Sequence, residues 1–243
     1  AGITNFGGPV NASFPTSSTT PQSYSFDFAG VLQPTSAMNT VPPGLQAKES
    51  FVDDEGEIAS NNSFLRIGRT GTNINHDAAV ALERIASTTP VFNQNPVFTV
   101  TASSTPQAAY TDICYAVVGT MGGTTISTTA NNYFGFELRN NAGISEVYIV
   151  NANESAQTRT QVGTVTGSPI NIKNTVTYSA VMYSGNRIEF YGNGIKLGAH
   201  TTNLPSGDFT SNTTVQFYFN GTTGSGSGSS FCTFTQASLS FGR

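Results

Sequence analysis

Few residues of this 243-residue chain have the types and the spacing that metal binding or catalysis requires. The densest charge is an acidic segment that holds Asp53, Asp54, Glu55 and Glu57. Calcium prefers several oxygen ligands, so these four carboxylates raise the possibility of a calcium site. Their spacing differs from that of an EF-hand loop, whose ligands alternate towards a distal glutamate. A solvated turn is therefore the favoured interpretation, and no metal site is predicted.

A second candidate for chemistry is His76 beside Asp77, which together resemble half of a catalytic pair. A nucleophilic mechanism would also need a serine or cysteine in a recognisable setting, and none stands near them. The sequence therefore favours a loop histidine at this position.

Two cysteines, Cys114 and Cys232, each lie in an apolar run with the character of a strand. One interpretation is two buried thiols that act as small hydrophobic side chains. The other is a disulfide between distant strands, which would need Cα atoms about 5.5 Å apart. The chain has no CxxC motif and no histidine close to either cysteine, so a metal or redox role is not predicted.

The composition limits the classes of partner. Only 10% of the residues are charged, against about 25% in a typical soluble domain. The net charge is −4 and the ten basic residues are scattered, which argues against nucleic-acid binding. No window approaches 18 consecutive apolar residues, so no membrane partner is predicted. The first ten residues lack the charged and apolar regions of a signal peptide, so they are predicted to be a processed end or a start without its Met.

The elements that must position any site are predicted to be strands. Residues 175–205 indicate a three-stranded meander, because apolar and polar residues alternate and Asn193-Gly194 is a strong hairpin signal. Further strands are predicted at 23–29, 97–102, 110–119, 132–140, 144–150, 157–165, 214–220 and 231–241. Residues 75–86 fit a helix as well as a strand, and the β context around them favours a strand.

These strands predict one domain. Residues 1–25 are rich in Pro, Ser and Thr without periodicity, which predicts an extended N-terminal arm. Residues 26–243 are predicted to form a single all-β, two-sheet antiparallel β-sandwich with a phenylalanine-rich core. The Gly/Ser-rich run 221–230 is interpreted as a loop within this domain, since one strand follows it.

Three segments carry a resemblance to a known superfamily: NNYFGFELRNNAGISEVYIVN, TYSAVMYSGNRIEFYGNGIKLGAHTTNLPSG and FTQASLSFGR. Between roughly residues 130 and 243 the chain resembles the concanavalin A-like lectin/glucanase superfamily. The resemblance implies a two-sheet jelly roll with one concave face. Similar modules occur as lectins, as glycosidases and as attachment or decoration domains on bacteriophage particles, so the resemblance says little about function.

The glycosidase branch can be tested on the residues. The resemblance implies paired carboxylates on one strand, close to Glu-x-Asp-x-x-Glu, so that two acids project from one face about 5.5 Å apart. The nearest match is Glu137, which has Arg139 two residues later. Glu189 has Tyr191 at the same offset. Neither glutamate has the required partner, so no catalytic residue is predicted.

The lectin branch depends on aromatic side chains, because a sugar ring stacks on an aromatic face. The chain has no Trp, which leaves tyrosines as candidates. The candidate carbohydrate-binding residues are Tyr133, Tyr148, Tyr183 and Tyr191. The alternative for each of them is packing within the core or on a sheet.

Together these features predict a non-enzymatic structural or attachment protein on a virion surface, such as a phage capsid decoration, fibre or tail component, with no cofactor. Its predicted partners are other copies of itself, neighbouring virion proteins and, as an option, a host-surface glycan. The alternatives are a free, extracellular carbohydrate-binding module or lectin and, ranked lower, a glycoside hydrolase.

Overall fold

The computed structural model describes residues 22–27, 46–49, 56–61, 64–69, 78–85, 92–105, 111–119, 132–154, 156–164, 175–183, 186–206, 213–221 and 230–241. Several predicted features lie outside these residues. They are the arm up to residue 21, the acidic residues 53–55, His76 and Asp77, and most of the Gly/Ser-rich loop.

The described residues form strands almost throughout. A single 3₁₀ turn, Phe92–Gln94, is the helical element among them, and none of their helices has the length and apolarity to cross a membrane. The strands are β1 (Gln22–Asp27), β2 (Gln46–Glu49), β3 (Gly56–Asn61), β4 (Phe64–Arg69), β5 (Ala78–Ile85), β6 (Val97–Thr105), β7 (Thr111–Gly119), β8 (Tyr133–Asn141), β9 (Ile144–Asn153), β10 (Ala156–Thr164), β11 (Val176–Tyr183), β12 (Arg187–Gly192), β13 (Ile195–His200), β14 (Thr213–Gly221) and β15 (Ser230–Phe241).

The strands make two antiparallel sheets. Sheet A has eight strands in the order β13-β12-β11-β6-β15-β4-β3, with β1 also paired to β15. Sheet B has seven strands in the order β10-β9-β8-β7-β14-β5-β2. The predicted all-β, two-sheet antiparallel sandwich is therefore confirmed.

Alternation of residue type explains the two faces of sheet A. In β6, Phe98 and Val100 point into the core, whereas Thr99 and Thr101 point outwards. The outward hydroxyls form hydrogen bonds with hydroxyls of the neighbouring strand β11. Thr99 and Ser179 are 3.1 Å apart, and Thr101 and Thr177 are 3.0 Å apart. Period-two patterning thus gives each strand one apolar side and one hydroxyl-bearing side.

The predicted Asn193-Gly194 hairpin is confirmed. Both residues have positive φ, 48° and 79°, as a two-residue turn between twisted strands requires. The Asn193 side chain also accepts a hydrogen bond of 3.0 Å from the Thr177 backbone N–H of β11. The turn therefore joins β12 to β13 and fastens both of them to the third strand of the meander.

Large aromatic side chains fill the space between the sheets. Phe136 of sheet B meets Phe190 of sheet A edge to face, with ring centroids 5.7 Å apart. Phe217 of sheet B lies 4.8 Å from Phe234 of sheet A. All four rings are buried, so the predicted phenylalanine-rich core is confirmed. Aromatic pairs of this geometry contribute about 0.5–1.5 kcal/mol beyond their burial.

The middle of sheet B is buried on both faces. Its strand β7 was predicted to be central because residues 110–119 are apolar on both sides, and it lies between β8 and β14. On the outer face of sheet B, away from the core, a second buried cluster forms. Its members are Tyr115, Val117, Tyr133, Tyr148, Val150, Ala152 and Tyr218.

Strand β5 resolves the ambiguity between helix and strand at residues 75–86. It covers Ala78–Ile85 and pairs with β14 on one side and with β2 on the other. Tertiary pairing thus decides a stretch whose local pattern fits both structures. The short strand β2 was not predicted, because Gln46–Glu49 shows no alternation of apolar and polar residues.

A buried polar cluster joins the two sheets at the β13 and β10 edges. The His200 ring contacts the Asn151 side-chain oxygen through Nδ1 and the Thr160 hydroxyl, 2.9 Å away, through Nε2. The Asn151 amide nitrogen donates to the carbonyls of Thr202 and Asn203, at 2.9 and 2.6 Å. These two bonds turn the Asn151 oxygen towards the imidazole, so Nδ1 carries a proton. We call His200, Asn151 and Thr160 the edge cluster.

Candidate functional site

The four candidate tyrosines lie on two opposite surfaces of the sandwich. Tyr133 of β8 and Tyr148 of β9 lie on the outer face of sheet B, in the second buried cluster. Tyr183 of β11 and Tyr191 of β12 lie on the outer face of sheet A, because their strand neighbours Met182 and Phe190 point into the core. The structure therefore groups them as two pairs and does not bring all four together.

On sheet B, an ion pair occupies the centre of the tyrosine cluster. Glu137 of β8 is fully buried, and the Arg159 guanidinium donates to both of its oxygens, at 2.7 and 2.5 Å. The same guanidinium carbon lies 3.3 Å from the centroid of the Tyr148 ring. Such bidentate pairs are the strongest ion-pair geometry, and the stacked ring adds a cation–π contact.

Burial limits what the sheet B tyrosines can contact. Tyr133 has no exposed surface, and Tyr148 keeps 8% of its surface exposed. Burial raises the pKa of Tyr133 to about 12, although a hydrogen bond from the Gln157 amide opposes the shift. One ring is therefore enclosed and the other is covered by a guanidinium, so neither presents an open face to a ligand.

A second carboxylate, Glu146, lies on the same face of sheet B, on strand β9. It accepts a hydrogen bond of 2.9 Å from the Tyr148 hydroxyl and lies 4.0 Å from Arg139. Burial raises the pKa of Tyr148, and the bond to Glu146 raises it further. The outward side chains of sheet B thus form a connected network of tyrosines, glutamates and arginines.

On sheet A, Glu189 is the centre of an accessible network. It accepts hydrogen bonds from Lys196 at 2.8 Å, Tyr191 at 2.7 Å and Arg187 at 3.1 Å. The bonds from Lys196 and Tyr191 are the main causes that lower the pKa of Glu189 to about 2. The bond to Glu189 in turn raises the pKa of Tyr191. At neutral pH the carboxyl is therefore ionised and the phenol is protonated.

Tyr183 completes this surface. It has 37% of its surface exposed, and the Arg187 guanidinium carbon lies 4.2 Å from its ring centroid. The side chains of Arg187 and Lys196 are 40% and 51% exposed. We call these five residues the exposed tyrosine patch: Tyr183, Arg187, Glu189, Tyr191 and Lys196.

Neither glutamate considered for glycosidase chemistry has a carboxylate beside it on its own strand. The outward neighbours of Glu137 on β8 are Gly135 and Arg139, and those of Glu189 on β12 are Arg187 and Tyr191. Among the described side chains, no three His, Cys, Asp or Glu residues are grouped so that they could hold a metal ion.

Sequence reasoning missed the basic members of both networks. Arg159 lies 22 residues from Glu137, and only the pairing of β8, β9 and β10 brings them together. Arg187 could have been found, because it alternates with Glu189 and Tyr191 on a predicted strand and therefore shares their face. Lys196 follows from the same hairpin, since its register partner is Tyr191.

Comparisons with known proteins identify the fold. No family model matches the chain, and no curated protein matches it. Several solved structures are similar. A prokaryotic β-1,3-1,4-glucanase (lichenase) derived from a mouse hindgut metagenome has a TM-score of 0.54 at 6% identity, over 89% of this chain and 98% of the other.

The catalytic domain of an endo-1,3-β-glucanase (laminarinase) from Thermotoga petrophila has a TM-score of 0.54 at 11% identity, over 89% and 96% of the two chains. The Emp47p carbohydrate recognition domain has a TM-score of 0.50 at 12% identity, over 90% and 96%. The chain therefore has the concanavalin A-like lectin/glucanase fold, as the sequence resemblance implied.

Proposed function

We propose that this protein is a non-enzymatic attachment protein that contacts a glycan through the exposed tyrosine patch. The observation that carries the proposal is the combination of an accessible ring, Tyr183, with a fixed set of hydrogen-bonding groups around Glu189. The sheet B tyrosines are buried, so the patch is the better candidate of the two surfaces.

The chemistry of the patch suits a sugar. A pyranose has apolar C–H faces and a rim of hydroxyls, so it is recognised by an aromatic ring together with charged or amide groups. Tyr183 supplies the ring, and Arg187 and Lys196 supply exposed donors. Because Glu189 already holds both cations, their positions are set before a ligand arrives, which lowers the entropic cost of binding.

Two features support a role without catalysis. Glu137 is buried and both of its oxygens accept from Arg159, so it has no free oxygen for a substrate. The pKa of Glu189 is about 2, so it cannot act as a proton donor at neutral pH. A glycosidase of this fold would need two facing carboxyl groups with different pKa values. We expect Glu137→Gln to leave any glycan processing unchanged.

The structural neighbours agree with this proposal only at the level of fold. One is named as a carbohydrate recognition domain and two as glucanases, all at 12% identity or less. These names make a glycan a reasonable first ligand to test.

The proposed setting is a virion surface, where the protein would contact other copies of itself and neighbouring virion proteins. The low charged content supports an exposed β-rich surface made from hydroxyl and amide side chains, which lose little rotamer entropy when ordered. Light scattering coupled to size-exclusion chromatography tests this setting. A homo-oligomer is expected, and a strictly monomeric protein would instead favour a free, extracellular carbohydrate-binding module.

A glycan array with matched variants tests the binding proposal. We expect the unmodified protein to bind at least one glycan. We expect Tyr183→Ala to weaken that binding by about two- to tenfold, because one stacking contact contributes about 0.5–1.5 kcal/mol. Ile144→Ala is the control, since Ile144 is 52% exposed on a strand of sheet B, and it should bind normally.

Two results would count against the patch. If no glycan on the array binds, the glycan proposal is wrong. If Tyr148→Phe abolishes binding while Tyr183→Ala does not, the contact surface lies on sheet B instead.

A further inference from the structure

The two cysteines lie on facing inner surfaces of the sandwich. Cys114 is on β7 of sheet B and Cys232 is on β15 of sheet A, 118 positions later in the chain. Both side chains belong to the core and are buried, with 1% and 5% of their surfaces exposed. Two thiols that are remote in sequence therefore meet in the space between the sheets.

The strands that carry the two cysteines pack against each other. Both side chains belong to one buried cluster, and Cys232 is among the groups that raise the pKa of the Cys114 thiol. Strands β7 and β15 come within 8 Å of each other, measured between Cα atoms. Stacked sheets are usually about 10 Å apart, so this is a close approach. A disulfide needs Cα atoms about 4.4–6.8 Å apart, so the close approach of these two strands is compatible with one.

We propose that Cys114 and Cys232 are the site of an intramolecular disulfide that cross-links sheet A to sheet B. Both are free thiols in the structure. This inference goes beyond the proposed attachment function and does not depend on it.

The reaction balances with a small-molecule disulfide, such as oxidised glutathione, as oxidant. One protein thiol loses its proton and attacks the oxidant, which forms a mixed disulfide and releases one glutathione thiolate. The second protein thiol loses its proton and attacks the protein sulfur of that mixed disulfide, which releases the second glutathione. The protein loses two protons and two electrons, and two reduced glutathione molecules gain them.

Burial decides when this reaction occurs. Thiolate is the reactive form, and burial raises the pKa of the Cys114 thiol, with further contributions from Cys232 and Asp112. A thiol that is almost entirely protonated and has no access to solvent reacts slowly with an oxidant in the folded protein. The cross-link should therefore form while the chain folds, when the sulfurs are accessible, and the redox conditions during folding select the product.

Refolding under two redox conditions tests the proposal. The full chain is refolded either with a strong reductant or in a mixture of reduced and oxidised glutathione, and its thiols are then titrated in denaturant. We expect two free thiols in the first case and none in the second, with a mass lower by two hydrogen atoms. A peptide that joins the segments around Cys114 and Cys232 should appear in a non-reducing digest.

The thermal midpoint gives a second readout. Closing a loop of this length typically stabilises a domain enough to raise its midpoint by about 5–15 °C over the reduced protein. The matched controls are Cys114→Ala and Cys232→Ala, whose midpoints should not respond to the redox conditions. The proposal is overturned if the protein refolded with glutathione keeps two free thiols or carries glutathione adducts. It is also overturned if the only disulfides that form link two chains into a dimer.

Discussion

Glu137 and Glu189 both form ion pairs with arginine side chains, but in different environments. Glu137 is fully buried with Arg159 as its ion-pair partner. Glu189 lies on an accessible surface with Arg187 and Lys196. Exposed ion pairs contribute little to stability, whereas removing one partner of a buried pair leaves a charge without compensation. Breaking the ion pair on sheet B therefore destabilises the fold, whereas the basic side chains on sheet A remain accessible to a ligand.

The buried pair on sheet B gives an asymmetric prediction. Arg159→Ala leaves the Glu137 carboxylate buried without a partner and removes the contact with Tyr148, so we expect a loss of about 3 kcal/mol in the free energy of unfolding. Glu137→Gln should cost only about 1 kcal/mol, because glutamine still accepts a hydrogen bond and water can reach the partly exposed arginine. Urea unfolding of both variants measures the difference, and equal losses would contradict this account.

Gly135 makes a second prediction at the same scale. It lies on β8 opposite Val117 of β7, and an added Cβ would clash with the backbone carbonyl oxygen of Ala116. Because backbone atoms of a central strand cannot move aside cheaply, we expect Gly135→Ala to destabilise the protein by about 3 kcal/mol or more.

The matched control is Gly194→Ala in the β12–β13 hairpin. That position has open space around it but a φ of 79°, so the expected cost is only about 1 kcal/mol. Thermal unfolding compares the two variants. A Gly135→Ala variant as stable as Gly194→Ala would show that β7 and β8 are packed less closely than described.

Among the elements, the edge strands β13 and β10 are joined through a titratable side chain, that of His200. The edge cluster joins β13 of sheet A to β9 and β10 of sheet B through the His200 ring. The described side chains that contact this ring, including Phe190 at 5.2 Å, carry no charge. Burial lowers the pKa of His200 to about 4, because a protonated imidazole would lack solvation there.

This pKa makes stability depend on pH in one direction. The unfolded chain, with an ordinary histidine pKa near 6.5, binds a proton at higher pH than the folded chain does. The neutral ring therefore makes its full contribution to the free energy of unfolding above about pH 6.5. This contribution is lost as pH falls towards about 4, and the total loss is roughly 3 kcal/mol. Urea unfolding between pH 4 and 7 measures the loss.

Two variants serve as controls for the pH dependence. His200→Gln should be less stable at neutral pH and should show a flatter dependence on pH between these limits. His76→Gln, which removes the other histidine, should retain the slope of the unmodified protein. An unchanged slope in His200→Gln would assign the pH dependence to other groups.

The elements themselves were largely predictable from local patterns. Alternation located β6, β11 and β12, and the Asn193-Gly194 pair located a turn whose φ values agree. Strand β2 was missed, because its four residues carry no alternation and its position depends on pairing with β5. Local signals identify long patterned strands, whereas a short edge strand is defined mainly by its neighbour.

At the scale of the whole molecule, strand order decides which side chains meet, and outside the predicted meander β11-β12-β13 sequence did not provide that order. Tyr148 and Tyr183 both belong to strands, yet they lie on different sheets and on opposite surfaces of the sandwich. The placement of Cys114 and Cys232 in one buried cluster likewise requires β7 and β15 to face each other across the core. The sandwich and its apolar interior were predictable because they follow from composition and period. The exposed tyrosine patch was predictable from the meander of β11, β12 and β13, whereas the network on sheet B was predictable only as a set of residue types.

Strand β15 comes last in sequence among the described strands, yet it is hydrogen-bonded along its length to β6 and, on its other side, to β4 and β1. During synthesis, the edges of those three strands that pair with β15 stay unpaired until β15 has emerged from the ribosome. Until then the nascent chain presents open strand edges, which attract other chains. The interval before β15 emerges is therefore when this protein would benefit most from a chaperone that shields strand edges.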